Sequence, residues 1–178
     1  MAVDPKGDPI PWYTFPAVDY LAGVDFSAKR AFEYGSGNST IWWSQRCLEL
    51  TAIENDRKFY DWMNSRGRVK ARYLCDEVMR HYVERLDSPQ DVIIIDGADR
   101  EECAKRALQY LAPGGMIILD NSDVEVLARK VLADSGLLRV DFWGWTCVTG
   151  GVQCTSVFFD RRADHAASTP KKRRDKSR

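Results

Sequence analysis

The chain has 178 residues, of which 44% are hydrophobic, and its formal net charge is zero. This length fits one domain with a full hydrophobic core. No apolar run reaches the roughly 18–20 residues that cross a bilayer, and the opening sequence MAVDPKGDPIPW lacks the basic and then apolar pattern of a secretory signal. We therefore expect a single-domain protein of the cytoplasm without a membrane span.

The five cysteines are scattered along the chain, and none of them forms a Cys-x-x-Cys pair. This spacing indicates neither a structural zinc site nor a disulfide framework. Reduced thiols in a reducing compartment are the simplest interpretation.

The zero net charge hides an uneven distribution. Residues 161–178 hold eight Lys or Arg and two Asp, a net of +6, which leaves −6 on residues 1–160. The basic segment has no apolar periodicity, so we expect it to be a disordered tail. Because the rest of the chain is acidic, we do not expect the protein to bind nucleic acid, except through this tail.

Helices and strands are predicted to alternate along most of the chain, after an irregular lead-in over residues 1–11. The last two strands are joined by a Gly150-Gly151 turn and form an antiparallel hairpin. This order predicts an α/β fold with a doubly wound, mostly parallel, seven-stranded sheet and a C-terminal hairpin. The predicted helices cover residues 15–22, 39–46, 56–65, 76–86, 101–111 and 124–135, and the strands residues 31–34, 50–53, 69–74, 92–95, 116–119, 138–143 and 155–160.

The most informative segment, AFEYGSGNST at residues 31–40, contains the end of the first predicted strand. Gly35 and Gly37 lack the Cβ atoms that would keep a ligand away from the backbone. The helix that follows presents unpaired N–H groups at its start. Thr40 stands where a dinucleotide fingerprint has its third glycine, which disfavours a pyrophosphate. The segment predicts a ligand-binding turn, and a tight turn without a ligand is the alternative.

Acidic residues stand at the ends of four predicted strands, at Glu33, Glu54, Asp96 and Asp120. Doubly wound sheets bind their ligands beyond these ends. Glu54 comes nineteen positions after Gly35, where an acidic residue can accept the hydroxyls of a ribose. Glu33 lies beside the turn, where it would face a cationic ligand rather than a phosphate. S-adenosylmethionine carries a sulfonium and an amino group, whereas NAD carries two phosphates, so S-adenosylmethionine is the favoured ligand.

Four segments, in this order along the chain, resemble the motifs of class I S-adenosylmethionine-dependent methyltransferases: FEYGSGNST, AIEND, DVIIIDGADR and LAPGGMIILDN. The run PWYTFPAVDYL is also similar to the entry segment of small, uncharacterised bacterial members of that superfamily. The resemblance covers roughly residues 10–160. It implies a Rossmann-like methyltransferase domain over residues 12–160.

The resemblance also implies which residues hold the cofactor. Asp76 is one of them, although a role as N-cap of the following helix is an equally good interpretation of this residue. The implied contacts are Glu33, Gly35, Gly37 and Ser39 for the methionine part, Glu54 for the ribose, and Asn55 and Asp76 for the adenine.

Asp96, Asp120 and Asn121 offer three oxygen ligands at adjacent strand ends. Such oxygens can hold Mg²⁺ or another divalent cation, and the arrangement is similar to that of metal-dependent catechol-type O-methyltransferases. There the metal draws two acceptor oxygens together and lowers a hydroxyl pKa. The alternative is that Asp96 orients the cofactor or the acceptor while Asp120-Asn121 forms a turn. We take Asp96 and Asp120 as the predicted catalytic residues, and Asp99 and Arg100 either as acceptor contacts or as a surface pair.

We therefore expect an S-adenosylmethionine-dependent methyltransferase that acts on an oxygen of a small-molecule or glycan-type acceptor. Methyl transfer from a sulfonium mainly needs donor and acceptor to be aligned and dehydrated, so few catalytic side chains are expected. An NAD-dependent oxidoreductase with the same glycine turn and a cofactor-binding module without turnover are the alternatives. The chain is short for this superfamily, so we expect an open cleft whose acceptor is large or is enclosed by the second subunit of a homodimer.

Overall fold

A computed structural model of the chain describes residues 2–4, 6–67 and 69–161. Its strands are β1 (Arg30–Tyr34), β2 (Glu49–Glu54), β3 (Arg72–Cys75), β4 (Gln90–Ile95), β5 (Leu111–Leu119), β6 (Leu138–Trp145) and β7 (Val152–Phe159). They form one seven-stranded sheet in the order β3-β2-β1-β4-β5-β7-β6. Strands β1 to β5 run parallel, and β7 pairs antiparallel with both β5 and β6. The predicted fold class is confirmed, including the C-terminal hairpin.

The helices are α1 (Phe15–Ala22), α2 (Asn38–Ser44), α3 (Arg57–Ser65), α4 (Met79–Glu84), α5 (Arg100–Tyr110) and α6 (Val126–Ala133). Each corresponds to a predicted helix, but α4 begins three residues later than Asp76. The Asp76 carboxylate accepts the N–H of Val78 at 3.3 Å, so it holds the backbone in a turn before the helix begins. Strand β3 is likewise shorter than predicted at its start.

Helices cover both faces of the sheet, which explains why its central strands are apolar on both sides. One face packs against α1 and α2, and the other packs against α4, α5 and α6. The four residues of the β4 run Val92–Ile95 are almost completely buried. Burial on both faces fixes the strand ends in space, so the residues that follow β1, β2, β4 and β5 gather at one edge of the sheet.

The lead-in before α1 runs along this edge and is tied down at both ends. Near α1, the hydroxyl of Thr14 donates to the carbonyl of Phe142 in β6 at 2.9 Å. Near the start of the chain, the side-chain amide of Asn38 donates to the carbonyls of Ala2 and Ile10 at 2.8 and 3.1 Å. The lead-in is therefore anchored to the glycine turn as well as to the C-terminal hairpin.

Among the described residues, no helix has the length and apolar character needed to cross a bilayer. The longest of these helices, α5, has 11 residues, about half of what a span requires. The predicted basic tail starts at Arg161, and the remainder of it, residues 162–178, lies outside the described residues.

Candidate active site

The two glycines of the turn after β1 have different surroundings. Gly35 has a φ of +90°, and a Cβ at this position would lie 2.6 Å from the backbone oxygen of Asp96. A Cβ at Gly97 would likewise lie 2.6 Å from the nitrogen of Gly35. The ends of β1 and β4 therefore touch through these two glycines. A Cβ at Gly37, in contrast, would meet no atom within 4 Å, so the space beside Gly37 is open to a ligand.

A cleft of 230 Å³ opens beside Gly37. One wall is polar and comes from the glycine turn and the end of β4. The other wall is largely aromatic and comes from Trp12, which precedes α1, and from α3. The polar wall consists of Ser36, Gly37, Asn38, Ser39 and Asp96, and the other wall of Trp12, Phe59, Trp62 and Met63. The cleft suits a ligand that has both a polar part and a flat aromatic part.

Glu33 in β1 is a buried carboxylate that lacks a positively charged partner among the described residues. Its side chain is 0% exposed, and neither carboxylate oxygen has a hydrogen-bond partner among the described residues. Burial raises the pKa of Glu33 to about 7, although the nearby hydroxyls of Ser39 and Thr40 favour the charged form. An unpaired buried carboxylate is costly in free energy. The site therefore lacks a positively charged group next to Ser39, which lines the cleft.

Glu54, at the end of β2, is held in place by its neighbours. One carboxylate oxygen accepts the backbone N–H groups of Asn55 and Asp56 at 2.9 and 3.0 Å. The other accepts the hydroxyl of Ser36 at 2.6 Å, and that hydroxyl also lies 2.8 Å from the Tyr73 hydroxyl. Because Ser36 lines the cleft, Glu54 lies directly behind the polar wall, with Asn55 next to it in the chain.

Asp76 follows β3, but its carboxylate is turned toward α4. It pairs with Arg85 at 3.0 Å and lies 3.7 Å from the ring of His81. Although burial would raise the pKa of Asp76, the bonds from Arg85 and the Val78 N–H outweigh it and lower this pKa. The N-cap of α4 is Val78, so the alternative role of Asp76 as N-cap is wrong, and its contact with an adenine stays a prediction.

Arg100, the first residue of α5, joins the ends of β4 and β5. Its Nη2 donates to Asp96 Oδ1 at 3.2 Å, and its Nη1 donates to the Asp120 carbonyl at 2.6 Å and to Asn121 Oδ1 at 3.3 Å. Only 13% of the Arg100 side chain is exposed. Of the two alternatives for Asp99 and Arg100, the surface pair is therefore wrong, because the guanidinium turns inward to the carboxylate of Asp96; contact with the acceptor stays a prediction.

Asp120 is buried behind Asp96 and accepts the hydroxyl of Thr155 at 2.6 Å. Burial raises the pKa of Asp120 to about 6, against the opposing effects of Thr155 and Arg100. Burial and the nearby Asp120 also raise the pKa of Asp96 well above its usual range. The predicted catalytic pair thus lies together, with Asp96 at the cleft and Asp120 in the interior.

The expected metal site is not supported by this arrangement. The Arg100 guanidinium binds the oxygens of Asp96 and Asn121 that were expected to hold Mg²⁺ or another divalent cation. Two positive charges at this distance repel each other. The donor set therefore does not fit a divalent cation while Arg100 remains in place, and no group of three or more His, Cys, Asp or Glu in the described part of the chain is arranged to hold one.

Some residues of the site were missed by the sequence interpretation. Phe59 and Trp62 belong to an amphipathic helix, a pattern that indicates core packing rather than a ligand wall. Thr155 reaches Asp120 only because β7 pairs with β5, and nothing local in the sequence signals this contact. Arg100 did carry a signal, since it follows Asp96 by only four residues and has the opposite charge, although Asp96 itself precedes the helix.

No family model matches the chain, and no curated protein gives a significant sequence match. Solved structures do match. An O-methyltransferase from Bacillus cereus in complex with SAH (S-adenosylhomocysteine) has a TM-score of 0.64 at 17% identity, over 90% of this chain and 83% of that chain. A precorrin-6y C5,15-methyltransferase from Geobacter metallireducens has a TM-score of 0.63 at 17% identity, over 89% and 93%. The O-methyltransferase TomG from Streptomyces achromogenes, in complex with SAM, has a TM-score of 0.57 at 17% identity, over 81% and 76%.

The chain has the class I methyltransferase fold. This confirms the fold that the four motifs implied. In a class I methyltransferase fold, as in other doubly wound sheets, the ligand edge is formed by the carboxyl ends of the strands. The glycine turn, Glu33, Glu54 and Asp96 all lie at this edge.

Proposed function

We propose that the protein is an S-adenosylmethionine-dependent methyltransferase. The observation that carries this proposal is the buried carboxylate of Glu33, which is near the hydroxyls of Ser39 and Thr40 but has no positively charged partner among the described residues. The amino group and the sulfonium of S-adenosylmethionine are the cations that such a site needs. A pyrophosphate would instead add negative charge beside Glu33, which disfavours NAD.

The other residues of the cleft fit the same cofactor. The open space beside Gly37 leaves room for a ligand chain against the backbone. Glu54 can accept ribose hydroxyls. The Ser36 hydroxyl, which donates to Glu54 in this structure, can donate instead to the Tyr73 hydroxyl 2.8 Å away. Trp12 and the α3 aromatics offer flat surfaces for a purine. Adenine contacts by Asn55 and Asp76 remain part of the proposal.

When bound, S-adenosylmethionine supplies an activated methyl group, and the protein has to align and dehydrate the reactants. The anchored lead-in, with Trp12 at the cleft, limits access of water from one side. Asp96 is 22% exposed and lines the cleft, so it can accept a proton from an acceptor held there. Asp120 and Thr155 support Asp96 from behind.

We further propose an oxygen acceptor on a small molecule or a glycan. The B. cereus and S. achromogenes structures are both named as O-methyltransferases, and a hydroxyl matches the proton-accepting carboxylate at the cleft. Divalent-metal assistance is not part of the proposal, because Arg100 binds the oxygens that the metal would need.

The test is calorimetric titration with S-adenosylmethionine, S-adenosylhomocysteine and NADH, followed by transfer of a labelled methyl group to a panel of hydroxylated acceptors. We expect one equivalent of either sulfur compound to bind, NADH not to bind, and label to appear in at least one acceptor. Binding of NADH in place of the sulfur compounds would contradict the proposal. Tight binding of the cofactor without transfer to any acceptor would favour a binding module.

A further inference from the structure

Arg100 is the centre of a polar network that spans the ends of β4 and β5. Besides its bonds to Asp96, the Asp120 carbonyl and Asn121, its Nε donates to the carbonyl of Gly97 at 3.0 Å. The same Nε lies 3.8 Å from the carboxylate of Glu125. The guanidinium therefore contacts both the segment after β4 and the segment after β5.

The backbone on either side of this network is unusual. Asp99 immediately precedes Arg100 and has a φ of +46°. Asn121 accepts a hydrogen bond from Nη1 of Arg100 and has a φ of +49°. Within the described ranges, they are the non-glycine residues with a positive φ. This conformation is sparsely populated and persists where surrounding contacts hold it. Both segments thus have an uncommon backbone conformation next to the guanidinium: one immediately before Arg100, and the other at Asn121, which accepts a hydrogen bond from it.

The chemistry of a guanidinium suits this position. It stays charged at all relevant pH values and directs its N–H donors in a fixed plane toward oxygens. A cation beside a buried carboxylate favours its charged form. Arg100 supplies that cation to the Asp96 carboxylate, and it fixes the backbone after β5 through the Asp120 carbonyl.

We propose that Arg100 is a built-in cation that takes the position and the positioning role of a divalent metal between the ends of β4 and β5. The protein therefore binds no metal there. This inference deepens the proposed function, and only its consequence for the acceptor rests on that function. Because no metal chelates two neighbouring oxygens, the acceptor needs only a single hydroxyl group, and Asp96 accepts the proton of that group.

The first test measures the binding of Mn²⁺ by electron paramagnetic resonance and does not depend on turnover. Wild-type protein and Arg100→Lys should leave Mn²⁺ free up to millimolar concentration. Arg100→Ala frees Asp96 Oδ1, Asn121 Oδ1 and the backbone carbonyl of Asp120, so it should bind one Mn²⁺ at least tenfold more tightly and gain thermal stability from it. Arg106→Ala is the matched control, since Arg106 lies on the same helix but donates to the backbone carbonyl of Leu86.

Stoichiometric Mn²⁺ binding by the wild type would overturn the proposal, and so would failure of folded Arg100→Ala to bind Mn²⁺. If Arg100→Ala does not fold, Arg100→Gln takes its place, because it removes the charge and keeps a polar side chain. In the transfer assay, EDTA should leave the wild-type rate unchanged. Arg100→Lys should retain more of kcat than Arg100→Gln, with similar KM for the cofactor. A wild-type enzyme that loses activity in EDTA and regains it with Mn²⁺ would refute the proposal while leaving the methyltransferase function intact.

Discussion

The carboxylates on the two sides of the ligand edge have opposite surroundings. Near the end of β1, Glu33 is buried with no positively charged partner among the described residues. At the ends of β4 and β5, Asp96 and Asp120 are held by Arg100 and Thr155. The second side brings its own cation, and the first side lacks one. This difference supports the proposal that a cationic ligand binds at the β1 side of the edge.

The two sides meet at Gly35, and a substitution there should have the largest effect. In Gly35→Ala, a positive φ costs about 1–2 kcal/mol, and the added Cβ would lie 2.6 Å from the Asp96 carbonyl. We expect the free energy of unfolding to fall by roughly 3 kcal/mol in urea titrations, since overpacking adds to the backbone cost. An unchanged midpoint would show that the two sides are not in contact.

Removal of the unpaired charge should stabilise the ligand-free protein. The pKa of Glu33 is raised from 4.5 to about 7, so the folded state disfavours the carboxylate. Its contribution to stability is complete below pH 4.5 and is lost as the pH rises through 7. Glu33→Gln should therefore gain stability over the wild type between pH 5 and pH 8, by up to about 3 kcal/mol. Urea titrations at several pH values measure this, with Glu49→Gln at an exposed position as the control; a difference that does not vary with pH would contradict the assignment.

A substitution of Glu54 tests whether the end of β2 belongs to the cofactor site. Glu54→Ala removes a prearranged acceptor of ribose hydroxyls, and charge-assisted hydrogen bonds are worth roughly 1.5–3 kcal/mol. We expect the affinity for S-adenosylhomocysteine to fall by about 10- to 150-fold in calorimetry. Unchanged affinity would remove Glu54 from the site.

Gly37→Ala should have the smallest effect and should separate binding from folding. The added Cβ meets no protein atom within 4 Å, so stability should stay within about 0.5 kcal/mol of the wild type. Because the Cβ occupies the space beside the polar wall, cofactor affinity should fall about fivefold. A loss of stability like that of Gly35→Ala would show that the two glycines share one role.

The sequence predicted the fold and the carboxylates because both depend on position along single strands. The apolar run at Val92–Ile95 and the glycine turn can each be recognised from consecutive residues. Glu33 and Glu54 can be located because the ends of their strands can be predicted. The partners of those carboxylates depend on how distant segments meet. Thr155 reaches Asp120 across the β5–β7 pairing. The metal prediction is not supported, because the Arg100 side chain binds oxygens of Asp96 and Asn121.

The central claim is that Glu33 is completed by the cation of the cofactor, and proton-linked binding tests it most directly. Calorimetric affinities for S-adenosylhomocysteine, which keeps the amino group, are to be compared at pH 6 and pH 8 for the wild type and Glu33→Gln. The wild type should bind about tenfold more tightly at pH 8, because Glu33 has then lost its proton, and the variant should bind weakly with no such gain. A variant that binds as tightly as the wild type, with the same response to pH, would contradict the account.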